Sequence, residues 1–183
     1  MVKKSLVAVD GSPSSDKALE LAFQLAANSG AKLLALTVAS ADPLTAADVD
    51  VALERYQPEV SPLLVAPAFS PATGQEGRSP ASDAAIATSK SRPLRDAMAQ
   101  HVLAAAKTAA RRYGFSSLET LLRSGDAVTN ILAVAAAESP DLLVMGSRGL
   151  GARAKNLLGG VSHKVVNEAA CSVITVKSPD LED

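Results

Sequence analysis

The sequence is poor in the residues that build disulfides, zinc sites and aromatic cores. It has one cysteine and two histidines, too few for an intrachain disulfide or for a zinc site built from several Cys and His ligands. Aromatic residues make up 3% of the chain and tryptophan is absent, so we expect a core of Ala, Val, Leu and Ile. These shortages exclude a disulfide-stapled or zinc-organised fold.

The chain also lacks an excess of positive charge and a long apolar run. Its net charge is −1, which argues against nucleic acid as a partner, because phosphate backbones are bound by clustered positive charge. No run approaches the ~18 apolar residues of a membrane span, and Leu6–Val9 is too short for the core of a signal peptide. We therefore expect a soluble, cytoplasmic protein with no membrane contact.

What the chain does have is enough apolar residues for one compact domain. Of its 183 residues 48% are apolar and 20% are charged. Domains usually have ~100–200 residues, so we predict a single domain over residues 1–183.

Short apolar runs alternate with helical patterns over most of the chain. We predict strands at 6–9, 31–38, 118–122, 141–145 and 172–176, and helices at 14–29, 94–113, 128–137 and 161–170. Wholly apolar strands between helices are typical of a parallel sheet covered on both faces. The predicted fold is α/β, a doubly wound five-stranded parallel sheet of order 3-2-1-4-5 with helices on both faces.

Residues 41–93 interrupt this alternation. The segment contains seven of the ten prolines among many Ala and Ser residues, and we interpret it as a Pro/Ala/Ser-rich insertion. A short helix is possible at 45–56, and residues 75–92 show no periodicity, so we expect them to be disordered. The insertion is either a tolerated loop or, through Tyr56, Phe69 and residues 63–65, a surface for a partner protein whose identity is unknown.

Two unusual loops follow strands one and four, which are neighbours in the predicted sheet. Ligands of doubly wound folds bind beyond the carboxyl ends of the strands, at this point of reversal. The second loop contains Gly146, Gly149 and Gly151, and Gly159-Gly160 then opens the last helix. Glycines and a helix N-terminus present bare N–H groups to an anion. Nearby cations are supplied by Arg148, Arg153 and Lys155. The spacing fits neither a Walker A loop nor a Rossmann fingerprint.

Asp10 directly follows the first predicted strand, at the same edge of the sheet. Its carboxylate suits a ribose hydroxyl or a magnesium ion bridging phosphates. It is equally suited to cap the helix that begins near Pro13. Both interpretations remain open from the sequence.

Three stretches of the chain resemble the ATP-binding branch of the universal stress protein family. Gly146, Gly149 and Gly159 match the family's glycine spacing, and residues 7–12 resemble its opening strand and acidic residue. Residues 157–162 and 170–176 resemble its last helix and strand. The resemblance covers residues 2–39 and about 95–177. It implies an adenine-nucleotide α-hydrolase-like fold and a regulatory, stress-response module that binds ATP. Whether Asp10 contacts the ribose or holds a magnesium ion with the phosphates stays open.

The resemblance also implies which residues contact the nucleotide. Those implied by the family are Ala8 and Val9 at the adenine, Val38 through its backbone, Asp10 at ribose or metal, Met145 and Gly146 at the ribose, and Gly149, Gly159, Gly160 and Val161 at the phosphates. We add Arg148 as a nearby cation. One position departs from the family, because Gly160 stands where the motif has Ser or Thr. Loss of the hydrogen bond from that hydroxyl to phosphate would cost ~1.5–3 kcal/mol of binding free energy. The hydroxyl of Ser162 could replace it. AMP or another adenine nucleotide therefore competes with ATP as the ligand.

No catalytic group is apparent, and we expect binding with little hydrolysis; slow turnover by Asp10 and a cation stays open. Adjacent helical residues such as Ser162 and His163 cannot face each other, and Cys171 is expected to be a small core residue.

The last strand, 172–176, is an exposed edge at which the family commonly dimerises, so we expect a homodimer. The alternative to a nucleotide-binding module is a homodimeric interaction protein of the same fold that binds no nucleotide and acts through residues 41–93.

Overall fold

Five parallel strands form one sheet in the order β3-β2-β1-β4-β5, as the sequence predicts. In a computed structural model, residues 1–40, 80–149 and 159–177 are described, with the backbone alone for residues 80–91. The strands are β1 (Lys4–Ala8), β2 (Lys32–Ala39), β3 (Glu119–Ser124), β4 (Leu142–Gly146) and β5 (Ser172–Val176). The described helices are α1 (Pro13–Ser29), α2 (Pro80–Arg112), α3 (Ala127–Glu138) and α4 (Gly160–Glu168).

The three central strands are buried on both faces, which explains their unbroken apolar runs. One core lies between the sheet and the pair α1 and α2, with Phe23 completely buried and stacked on Tyr113 at 5.2 Å between ring centroids. The other lies between the sheet and the pair α3 and α4, around Leu143 and Val165. None of the described helices has the length and apolarity needed to cross a membrane.

Sequence signals for the ends of α1 are visible in the structure. Ser12 accepts a hydrogen bond from the N–H of Ser15, which caps the helix, and Pro13 occupies the first turn. Gly30 ends the helix in the left-handed conformation at φ 67°, one residue after the predicted end of the helix at 29. The cap is therefore Ser12, and the interpretation of Asp10 as the capping residue is wrong.

The start of α2 is the largest error of the sequence analysis. We expected residues 75–92 to be aperiodic and the helix to begin at Leu94, but it begins at Pro80 and runs through Pro93. The signals were present, since Pro is favoured in a first helical turn and the residues that follow are rich in alanine, the strongest helix former. Pro93 is an equally strong signal for a later start, because proline is unfavourable inside a helix but favourable where one begins.

The described part of the expected insertion, residues 80–93, thus belongs to a regular helix. The short helix expected at 45–56 and the apolar residues at 63–65 lie outside the described residues, as do Tyr56 and Phe69. Smaller differences are that β3 begins at Glu119 and that α4 ends at Glu168. Cys171 packs against the second core but is partly exposed, and burial raises the pKa of its thiol.

Candidate functional site

A cleft of about 330 Å³ lies at the carboxyl ends of β1 and β4, where the winding of the sheet reverses. Its volume falls at the lower end of the roughly 300–1,000 Å³ typical of small-molecule pockets. All twelve residues expected at the site line it: Ala8, Val9, Asp10, Val38, Met145, Gly146, Arg148, Gly149, Gly159, Gly160, Val161 and Ser162. The sequence therefore located the cleft, and the geometry of its lining indicates which ligand fits.

One end of the cleft is apolar. Leu36 and Met145 come from the carboxyl ends of central strands, and Ile131 comes from the first turns of α3. All three are less than 10% exposed and belong to the core beneath α3 and α4. A flat aromatic ring could pack against the apolar surface at this end of the cleft.

The backbone of Val38 borders this apolar end. Val9 N–H donates to Leu36 O at 2.8 Å, so the polar groups of Leu36 face β1. Polar groups of a strand point to the same side at every second residue, so those of Val38 face the same way. Because β1 ends at Ala8, Val38 N–H and C=O point toward the cleft, where they could pair with the edge of a base.

Asp10 stands between the apolar end and the glycine loop. Its Oδ1 accepts a hydrogen bond from Ser12 N–H at 2.9 Å, and its own N–H donates to Ser15 Oγ at 3.1 Å. These two bonds fix the backbone and the carboxylate of a residue whose side chain is exposed. The fixed carboxylate is an acceptor that a ligand hydroxyl or a cation can reach.

Two glycines, one at the end of β4 and one in the loop that follows, allow the backbone to approach its neighbours closely. A Cβ on Gly149 would lie 2.7 Å from Asp10 Oδ2, and a Cβ on Gly146 would lie 2.6 Å from Ser14 Oγ and 2.8 Å from Ser15 N. Gly146 thus lets α1 pack against the end of β4, in addition to lining the cleft. The glycines of this loop are required by packing as well as by any ligand.

Buried serines hold the turn after β4 in place. The hydroxyls of Ser12 and Ser14 both donate to the carbonyl of Arg148. On the other side, Ser147 O accepts from Gly159 N–H at 2.7 Å and from Ser162 Oγ at 2.8 Å. Because its hydroxyl donates to this carbonyl, Ser162 would have to give up that bond to replace the donor missing at Gly160. Its role toward phosphate stays a prediction.

The N-terminus of α4 differs from those of α1 and α3. Ser12 caps α1, and Asp126 caps α3 by accepting from Thr129 Oγ1 and N–H at 2.7 and 2.8 Å, which lowers the pKa of that carboxyl. The N-cap of α4 is Gly159, which has no side chain to cap the helix. The first N–H groups of a helix have no intrahelical acceptor, so those of Gly160 and Val161 are oriented for an anion.

Gly160 itself leaves room in the cleft. A Cβ built on it meets no atom of the described residues within 4 Å, although the residue lines the cleft. Among the described residues, therefore, no neighbouring side chain fills the place of the missing hydroxyl. Gly151, Arg153 and Lys155, which we expected near the anion, lie outside the described residues.

Sequence reasoning missed four lining residues: Ser15, Leu36, Ala127 and Ile131. Alternation along β2 could have identified Leu36, because it precedes Val38 by two residues and faces the same side. Ile131 and Ala127 depend on how α3 packs, which no local pattern shows. The described residues contain no cluster of three or more metal-ligating side chains, so a cation at Asp10 would need phosphate oxygens or water as further ligands.

A second cavity of about 360 Å³ lies between α1 and α2, on the opposite face of the sheet. Phe23 and Val102 form part of its lining, with His101 and Glu20. Because its described lining includes no glycine loop and no uncapped helix N-terminus, the cleft at β1 and β4 is the stronger candidate site.

Comparison with family models matches residues 1–177 to the universal stress protein family. The universal stress protein YxiE of Bacillus subtilis is 29% identical over 177 residues, which is 97% of this chain and 100% of the relative. A universal stress protein of Thermus aquaticus is 48% identical over 59 residues, which is 32% of this chain and 43% of that protein. The chain therefore aligns along the whole of one relative and along less than half of the other.

Solved structures show the same fold. Universal stress protein UspA from Lactobacillus plantarum superposes with a TM-score of 0.68 at 20% identity, covering 96% of this chain and 97% of that one. A universal stress protein in complex with cAMP gives 0.56 at 24% identity, covering 96% and 97%. A family member from Arabidopsis thaliana with AMP bound gives 0.57 at 22% identity, covering 97% and 94%. At these identities the likeness establishes the fold alone.

Proposed function

The chain belongs to the universal stress protein family, and we propose that it is a regulatory module whose cleft binds an adenine nucleotide. The observation that carries the proposal is the pairing, in one cleft, of a dry apolar end with the uncapped N-terminus of α4. A nucleotide has the same two halves, a flat base and a charged phosphate. Two structural neighbours solved with cAMP and with AMP support an adenine base.

In the proposed complex the base lies against Leu36, Met145 and Ile131, and its polar edge meets the backbone of Val38. The phosphate lies at the N–H groups of Gly160 and Val161, where the end of a helix provides about half a positive charge. Arg148 lines the same cleft. Asp10 lies between the base and the phosphate and contacts the sugar.

The nucleotide is ATP or a smaller adenine nucleotide such as AMP. Glycine at position 160 removes a hydroxyl that would contact phosphate, and Ser162 could supply one only by giving up its bond to Ser147 O. This favours ligands that depend less on phosphate contacts, so AMP competes with ATP. With ATP, a magnesium ion between Asp10 and the phosphates would offset the negative charge.

We propose binding with little hydrolysis. Phosphoryl transfer requires a positioned water and groups that stabilise charge at the transferred phosphate. Asp10 is the one acidic side chain among the described residues that line the cleft. Its Oδ2 lies against Gly149, and the described lining offers no second acidic side chain that could position a water.

We further propose that the protein acts in the cytoplasm as a homodimer paired through β5. This strand is an edge of the sheet, and its Val173, Ile174 and Val176 are partly exposed. An apolar parallel edge invites pairing with a second chain. Light scattering should give twice the chain mass for the wild type, and the mass of a single chain would contradict the proposed dimer.

Calorimetric titration with ATP, AMP and cyclic AMP, with and without magnesium, tests the proposed function. We expect saturable binding of at least one of them at one site per chain, lost in Asp10→Ala. The absence of binding by all three ligands would contradict the proposal and favour the alternative, an interaction protein that binds no nucleotide. Phosphate release over many turnovers, lost in Asp10→Ala, would contradict the proposal of little hydrolysis.

A further inference from the structure

Ser15 lines the cleft although no motif pointed to it. It is the third residue of α1 and is 2% exposed. Its oxygen accepts a hydrogen bond from Asp10 N–H at 3.1 Å. The side chain is therefore buried, fixed by Asp10 and in contact with the space that a ligand would fill.

The hydrogen of this hydroxyl has no acceptor among the described residues. The neighbouring buried serines differ, since Ser12 and Ser14 donate to Arg148 O and Ser162 donates to Ser147 O. Ser15 Oγ has one partner, but its hydrogen is not used, and leaving a buried donor unused is unfavourable. The position of Ser15 at the cleft indicates that its partner is a ligand atom.

The chemistry of that atom follows from Asp10. The carboxylate can accept hydrogen bonds and the Ser15 hydroxyl can donate one; both residues line the cleft, and the Asp10 N–H bond to Ser15 Oγ makes them neighbours. A group that serves both must donate and accept, which a hydroxyl does and a phosphate oxygen does not. A phosphate would also be repelled by the carboxylate, and the N-terminus of α4 offers it a better position.

We propose that Ser15 donates a hydrogen bond to one hydroxyl of the ligand's ribose, and that this same hydroxyl donates to Asp10. The inference rests on the proposed function and adds a specificity-determining residue to it. It gives the cleft a preference for ribonucleotides over deoxynucleotides. Ser15 is thereby a sugar-contacting residue as well as the acceptor that fixes Asp10.

The test compares AMP with 2′-deoxy-AMP and 3′-deoxy-AMP by calorimetric titration of the wild type and Ser15→Ala. We expect the wild type to prefer AMP over one of the deoxynucleotides, and Ser15→Ala to reduce that preference roughly tenfold, equivalent to one hydrogen bond of about 1.4 kcal/mol. The ratio of affinities reports on the sugar contacts of the Ser15–Asp10 pair, because general damage to the fold affects all three ligands alike.

Ser14→Ala is the matched control. It removes a hydroxyl from the same turn that donates to Arg148 O, so it should weaken all three ligands by one factor and leave their ratios unchanged. Ser15→Cys, of similar size and with a weaker donor, repeats the test if Ser15→Ala does not fold. Unchanged ratios in the Ser15 variants would overturn the inference while leaving the proposed function intact. Absence of nucleotide binding by the wild type would instead overturn the proposed function.

Discussion

Asp10 and Gly149, which are 139 positions apart in the chain, are in such close contact that a Cβ on Gly149 would lie 2.7 Å from Asp10 Oδ2. The contact joins the ends of β1 and β4 at the point where the winding of the sheet reverses. The carboxylate is held from both sides, because Oδ1 accepts from Ser12 N–H while Oδ2 lies against Gly149. The geometry of the cleft therefore depends on the absence of a side chain at position 149.

Gly149→Ala should displace the Asp10 carboxylate and weaken nucleotide binding at least tenfold. The clash is with the end of a side chain, which can rotate away, so we expect only a small change in the free energy of unfolding. Calorimetric titration with AMP measures the first effect and urea denaturation the second. Gly149→Val should be more severe.

Gly30→Ala is the matched control for this prediction. Gly30 has a φ of 67°, and a methyl group at this position would meet no atom of the described residues within 4 Å. Alanine there strains only the backbone, by ~1–2 kcal/mol. Stability should fall while affinity for AMP is unchanged. Equal affinities of the wild type and Gly149→Ala would contradict the role given to the contact between Asp10 and Gly149.

Gly160→Ser should strengthen the binding of phosphorylated nucleotides. The position has open space for a hydroxymethyl group, and a hydrogen bond to a charged group is worth roughly 1.5–3 kcal/mol, or about tenfold or more in affinity. The gain should appear for ATP and AMP but be absent for adenosine. A similar gain for adenosine would show that the serine does not act through phosphate.

The sheet order and the place of the cleft could be predicted because apolar strand runs and glycine loops are local signals. The start of α2 at Pro80 was missed because Pro93 is an equally good local signal for a later start. Ser15 and Ile131 were missed because they reach the cleft through the packing of α1 and α3, which no short sequence pattern encodes. The hydrogen bond of Ser162 was missed for the same reason, since its acceptor, Ser147 O, is 15 residues away.

The stability of the fold should decrease in acid partly through Asp141. Its Oδ2 accepts from Lys3 and Lys4 N–H at 2.7 and 3.0 Å, and these bonds lower the pKa of the carboxyl in the folded state. The unfolded chain then takes up the proton first, so this stabilisation is present above the ordinary pKa near 3.8 and is lost as the pH falls through the folded value.

Urea denaturation from pH 7 to pH 2.5 measures this dependence. Asp141→Asn should be less stable than the wild type at pH 7, and the difference should shrink in acid. Glu168→Gln, at an exposed carboxylate in α4, is the control and should follow the wild type. A constant difference between Asp141→Asn and the wild type at every pH would contradict the assignment.

Phe23→Ala should be the most destabilising of these variants. The ring is completely buried and contacts Tyr113 and Phe115 at 5.2 and 5.5 Å between centroids. Truncation of a buried Phe costs about 3–5 kcal/mol, which urea denaturation measures. The cluster and the cleft lie on opposite faces of the sheet, so AMP affinity of the folded variant should be unchanged. A loss below about 1 kcal/mol would contradict the packing described for α1 and α2.

The central claim is that the cleft at β1 and β4 holds the base at its apolar end and the phosphate at the N-terminus of α4. Titration of the ¹⁵N-labelled protein with AMP, followed through its backbone amide resonances, tests it most directly. The account predicts saturable shifts at Val38, Gly149, Gly160 and Val161, with adenosine shifting Val38 but not Gly160. No saturable shift at these amides, or shifts confined to the cavity between α1 and α2, would contradict it.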